Sequence, residues 1–148
     1  MPYQAAFGTY HFSDDPARID LDAAHAMLTT AYWCKGIPRD LVARSLANSV
    51  PFGAYDAGGR QVAIARVITD KATFAYLCDV FVAESHRGQG LGKALVAFIL
   101  AHPDLQGLRR WCLLTRDANS LYEAIGFRNL DDPRRYMEIS RRDLYQQP

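Results

Sequence analysis

The chain has 148 residues, 49% of them hydrophobic, which suits one domain (1–148) whose core needs neither disulfides nor a structural metal. Lysine and arginine total 17 against 16 acids and are scattered apart from Arg109-Arg110, Arg134-Arg135 and Arg141-Arg142, which argues against nucleic acid as a partner, since its phosphates reward a concentrated basic face. Three cysteines (Cys34, Cys78, Cys112) and four histidines (His11, His25, His86, His102) lack zinc or redox spacing; there is no leader-like N-terminus and no run near the roughly 20 apolar residues that span a bilayer, so the expectation is a cytoplasmic, metal-free protein without membrane contact.

In chain order, Tyr3 to Phe12 alternates and reads as a strand, and Ser13-Asp14-Asp15-Pro16 supplies a turn. Asp20 can cap a helix over about 21 to 32 whose apolar positions Leu21, Ala24, Leu28 and Ala31 fall near helical spacing. Gly36-Ile37-Pro38 interrupts it, and a short second helix carries Leu41, Val42 and Leu46 and ends at Asn48. Three strand-like runs follow, Phe52 to Tyr55, Val62 to Thr69 and Thr73 to Val82, joined by turns short enough for antiparallel neighbours.

After Arg87-Gly88-Gln89-Gly90, the residues Leu91, Leu95, Phe98 and Ile99 line one face of a third helix that stops near His102-Pro103. Trp111 to Thr115 reads as a central strand, Asp117 as the cap of a helix bearing Leu121, Tyr122 and Ile125 and closed by Gly126, and Tyr136 to Ile139 as a last strand. Strand, two helices, three strands, helix, strand, helix, strand makes an α+β fold: a mixed, mostly antiparallel sheet with helices on both faces.

Gly88, Gly90 and Gly92 occupy alternate positions where a strand gives way to a helix. Without side chains there, consecutive amides can point at one place, and the helix dipole and Arg87 add positive charge, so the turn suits a phosphate. The bland alternative is a plain tight turn. A nucleotide P-loop fails because Gly92-Lys93 is followed by Ala94 and Arg87 stands where its first glycine belongs. A dinucleotide turn fails because Lys93 replaces the last glycine and hairpins, not a parallel unit, precede it.

The run Val80-Phe81-Val82-Ala83-Glu84-Ser85-His86-Arg87-Gly88-Gln89-Gly90-Leu91-Gly92-Lys93 resembles the GNAT superfamily of N-acetyltransferases, whose R-x-x-G-x-G signature is met by Arg87, Gly90 and Gly92. The order of elements matches over nearly the whole chain, and Asp117 to Phe127 is similar to a later family segment, although Asn119 precedes Tyr122 by only three residues. The resemblance implies acetyl-coenzyme A as the donor. Its pantetheine arm would pair with the backbone of Phe81 and Val82, and its pyrophosphate would lie on Arg87, Gly88, Gln89, Gly90, Leu91, Gly92 and Lys93, with Asn119 a further contact. It also implies an amine acceptor, on a small molecule or a peptide, and suggests a homodimer.

Amines are mostly protonated at neutral pH, so the transfer needs a route for a proton. Asp79, among apolar neighbours three residues before Val82, is the candidate base, or else a structural carboxylate bound to an arginine such as Arg66. Glu84 is a second, more solvated candidate. Tyr122 resembles the family tyrosine that protonates the departing thiolate; the alternative is a core tyrosine beside Leu121 and Ile125. Tyr32 and Trp33, between the first two helices, are candidate acceptor contacts or simple packing. Cys34 as a nucleophile is the weakest reading, since no histidine lies near it in sequence. The competing class is a non-catalytic acyl-CoA sensor, which needs the turn but neither Asp79 nor Tyr122.

Overall fold

Gly8, at φ 60°, lets the first predicted strand fold back on itself, so one strand becomes a hairpin of β1 (Gln4–Phe7) and β2 (Tyr10–Ser13). The structure is a computed structural model and describes residues 1–146. α1 (Leu21–Leu28) begins as expected, with the Asp20 carboxylate accepting the Ala23 amide. It stops short of residue 32 because the Thr30 hydroxyl takes the Met27 carbonyl and the Gly36 amide returns to Thr29, winding the segment into tight turns. α2 (Arg39–Ala47) follows Pro38 and buries Val42 and Leu46.

β3 (Val50–Tyr55), β4 (Gln61–Thr69) and β5 (Phe74–Val82) extend the hairpin antiparallel, and β6 (Arg110–Cys112) adds a parallel edge, so the sheet runs in sequence order from β1 to β6. One face carries α3 (Leu91–Leu100), whose Leu91, Leu95, Val96 and Ile99 pack on Phe52, Ala63, Val67 and Leu77. The other carries α1 and α2, whose Leu28 and Val42 pack against Ile64 and Phe81. Burying a side chain such as Leu95 stabilises the fold by about 2 kcal/mol.

Two features of β5 position the site. Between the pairs Ile64↔Phe81 and Arg66↔Cys78 β5 carries one extra residue, a bulge at which Asp79 takes a left-handed φ of 56°. The extra residue reverses the alternation of side chains: Ala75 and Leu77 face α3 before it, Val80 and Val82 after it, and Phe81 turns to the α1 side. Beyond Tyr76↔Cys112, moreover, β6 no longer pairs with β5, so the two strands form a fork.

Three expectations fail beyond the fork. The predicted strand at Trp111 to Thr115 ends at Cys112 because the chain leaves β5 there. Asp117 does not cap α4 (Asn119–Glu123); it pairs with Arg116, and the Thr115 hydroxyl takes the Ala118 amide instead. Tyr136 to Ile139 forms no strand: Met137 and Ile139 are 94% and 98% exposed, and Tyr136 meets the sheet only through side chains, its hydroxyl accepting from Arg110 at 3.2 Å. With nothing to bury Met137 and Ile139 against, alternation alone does not make a strand. The outer edge of β6 instead borders an open cavity of about 810 Å³ lined by Arg109, Trp111, Phe127 and Met137.

Candidate functional site

The antiparallel ladder decides which backbone groups of β5 reach the fork. The Ala83 amide bonds to the Val62 carbonyl, so at the adjoining position Val82 directs its amide and carbonyl away from β4, and Val80 does the same by alternation. Phe81, expected to offer backbone groups, turns them toward β4 and contributes its ring instead. Val80 was missed because the Asp79 bulge that sets this phase cannot be seen in the residue pattern.

The fork opens onto the glycine turn. A 3₁₀ turn at Glu84–His86 ends β5; Gly88 and Gly90 then adopt φ 80° and 79°, conformations that favour glycine, and α3 begins at Leu91. The Arg87 amide is used by Glu84, but the amides from Gly88 to Lys93 donate to no group among the described residues, whereas Ala94 begins the helical ladder onto Gly90. A Cβ on Gly88 or Gly90 would meet nothing within 4 Å, so the turn borders open space at both glycines. The Tyr10 hydroxyl holds the turn from β2, 2.8 Å from His86 Nδ1 and 3.3 Å from Gln89 Oε1. His86 thus braces the turn.

Arg87 folds back: its Nε donates to the Val82 carbonyl at 2.8 Å and its guanidinium lies 5.1 Å from the Phe81 ring. Lys93 is exposed on the first turn of α3. Asn119 donates to the Asn129 side chain at 3.3 Å, on the far side of the fork from β5.

On the α1 side of the bulge, Asp79 is enclosed by donors. Arg66 Nε reaches one carboxylate oxygen at 2.6 Å and the Trp33 indole reaches the other at 2.8 Å. Only 17% of the Arg66 side chain and 10% of that of Asp79 are exposed. Burial works against the Arg66 charge, but the charge and hydrogen bond of Asp79 outweigh it and raise the guanidinium's value. Of the two readings of Asp79, the geometry matches the arginine-bound carboxylate. Burial, with Asp79 adding to it and Arg66 opposing, pushes the Cys34 thiol up to about 12, and Cys34 Sγ donates to the Leu28 carbonyl, which leaves it a packed side chain rather than a nucleophile. Burial likewise holds Cys78 at about 12.

Across the fork, Arg116 offers its amide to the Tyr32 hydroxyl at 3.1 Å and places its guanidinium 3.8 Å from the Tyr32 ring centroid. Tyr122 on α4 is half-buried against the α3-side core, its ring 5.8 Å from Phe127. Burial, with a smaller push from Tyr32, raises its phenol above the ordinary value, so it stays protonated through neutral pH. The structure thus gathers Val82, the glycine turn, Tyr122, Tyr32, Trp33 and Asp79 around one fork. Among the described residues no group of His, Cys, Asp or Glu could hold a metal ion, and no helix is long and apolar enough to cross a membrane.

Residues 47–129 match the family model described as an acetyltransferase (GNAT) domain. A Gibberella zeae protein assigned as an acetyltransferase is 34% identical over 137 residues, covering 78% of this chain and 76% of its own length. A crystal structure assigned to the gnat acetyltransferase family, from Xanthomonas campestris pv. campestris, superposes with a TM-score of 0.91 at 46% identity over 96% of this chain and 100% of that one. A GNAT family acetyltransferase from Elizabethkingia anophelis with acetyl-CoA bound shares the fold, with a TM-score of 0.66 at 16% identity over 84% of this chain and 80% of its own.

Proposed function

Because this chain belongs to the GNAT family of acetyltransferases, we propose that it takes acetyl-CoA as donor and passes the acetyl group directly to an amine. The observation that carries the reading is the run of unbonded amides from Gly88 to Lys93, at a helix N-terminus and beside the outward edge of β5. Amides that are free, convergent and backed by a helix dipole suit a diphosphate. An arm bearing amides of its own can complete the Val80–Val82 edge as an added strand. Arg87 would release the Val82 carbonyl as that arm arrives, and its guanidinium is then free to face the phosphates.

The donor supplies a thioester carbonyl at the fork. The acceptor loses its ammonium proton to water; the neutral nitrogen then forms the C–N bond as the C–S bond breaks, and the second nitrogen proton leaves with solvent. Tyr122 gives its proton to the departing sulfur and recovers one from the solvent that takes the second nitrogen proton. Its raised phenol value keeps the group protonated until the thiolate forms. Asp79, with both oxygens engaged, serves as a fixed anchor in this scheme and not as the base.

The test is thiol release from acetyl-CoA across a broad panel of amines, with calorimetry of acetyl-CoA binding beside it. Binding accompanied by amine-dependent thiol release supports the enzyme. Binding without acceleration by any amine identifies a sensor, and absence of binding removes both.

A further inference from the structure

Tyr32 and Trp33 are held more firmly than packing requires. They are 44% and 41% exposed, yet each is tied to a charged support. The Trp33 indole donates to Asp79 at 2.8 Å, and Asp79 is itself fixed by Arg66 at 2.6 Å. Tyr32 is clasped through its hydroxyl by the Arg116 amide and through its ring by the Arg116 guanidinium. The rings stand edge to face, with centroids 5.0 Å apart and planes at 89°, and Trp33 lies 6.4 Å from Phe81. Beneath them the turn is tight: a Cβ on Gly36 would lie 2.7 Å from the Tyr145 carbonyl.

The two supports belong to opposite arms of the fork, Asp79 to β5 and Arg116 to the segment leaving β6. The aromatic pair therefore spans the fork on its α1 side. The buried carboxylate Asp79 is paired with Arg66 at 2.6 Å, and the exposed Asp117 has Arg116 3.5 Å away. A polycation finds each of these acids beside an arginine, whereas a flat apolar body finds aromatic surface.

We propose that Tyr32 and Trp33 are the acceptor-specificity residues, a fixed aromatic shelf for the planar apolar part of an aryl-bearing amine, with Asp79 as the positioning residue that holds Trp33. The proposal rests on the transfer reading for the identity of the ligand as acceptor, but its binding test does not need turnover.

The experiment titrates 2-phenylethylamine, hexylamine and spermidine into the full chain, with and without coenzyme A, by calorimetry. 2-Phenylethylamine binds at least about tenfold more tightly than either other amine. Trp33→Leu, which keeps an apolar side chain, abolishes that preference and leaves coenzyme A affinity within about twofold, a split that general destabilisation would not produce. Asp79→Ala, which removes the acceptor of the indole N–H, also loses the preference. Should Trp33→Leu fail to fold by circular dichroism, Trp33→Phe, which lacks the indole N–H, lowers the preference part of the way. Spermidine or hexylamine binding as tightly as 2-phenylethylamine, or a preference that survives loss of Trp33, overturns the shelf. Binding as predicted without thiol release would instead remove the transfer reading and leave the shelf standing.

Discussion

Half-burial holds Tyr122 in its protonated form, because desolvation makes its phenolate costlier than its phenol. Tyr122→Phe keeps the ring and its contact with Phe127, so acetyl-CoA affinity stays within about twofold while kcat falls by about 10²-fold. The group must be protonated to act and its value is raised, so any alkaline fall in wild-type kcat due to it lies above the usual phenol value of about 10 and is missing from the variant. Steady-state kinetics against pH checks both. The thiols give a converse case: with Cys34 and Cys78 at about 12, against a reference of 9.0, their thiolate fraction is lowered by about 10³. Iodoacetamide at pH 7.5, followed by peptide mass spectrometry, labels both slowly in the folded chain and readily in denaturant; fast native labelling of Cys34 would reopen a covalent route. At this scale the sequence is informative about residue type and poor about partners. Asp79 in an apolar strand announces a buried carboxylate, and Arg66 is a fair guess for its mate, but Trp33, 46 positions away, enters only through the fold.

The proposed diphosphate site arises because a strand, a 3₁₀ turn and a helix meet with their backbone donors unspent. Gly90→Asp puts a residue at φ 79° and a negative charge beside the phosphates. The conformation costs about 1 kcal/mol, within reach of urea denaturation, while acetyl-CoA affinity falls by about 100-fold or more. Unchanged affinity in calorimetry would contradict the site. The bulge is the second such element. Asp79→Ala leaves Arg66 without its partner and places a non-glycine residue lacking a hydrogen-bonding side chain at φ 56°, so it lowers stability by about 3 kcal/mol in the same urea experiment. The spacing of Arg87, Gly90 and Gly92, and the period of Leu91, Leu95, Phe98 and Ile99, place the turn and α3 from sequence. The phase of β5 is not legible, since an extra residue in a strand leaves no mark on composition but exchanges the faces of all that follows.

At the level of the whole chain, the proposed function divides the labour between the two faces of the sheet: α3 and its glycine turn for the donor, and the segment between α1 and α2 for the acceptor. Acetyl-CoA bound only to the native state at about a hundred times its Kd adds about 2.7 kcal/mol, and the melting temperature rises by roughly 5–10 °C. Differential scanning calorimetry reads this directly, and a midpoint that does not move argues against binding. Apart from the split first strand and the missing last one, the element order, the α+β class and the faces of the helices follow from periodicity, because a core of this size leaves few ways to cover both sides of a sheet. What periodicity does not supply is whether a strand finds an edge. Tyr136 to Ile139 alternates well enough, but its pairing depends on the course of the chain after α4, which no local pattern records. The central claim, that the amides from Gly88 to Lys93 grip the diphosphate of acetyl-CoA, is tested most directly by amide nuclear magnetic resonance. On titration with acetyl-CoA, the Gly88, Gly90 and Gly92 signals are predicted to move downfield and saturate together. Saturable binding that leaves those three signals in place would contradict it.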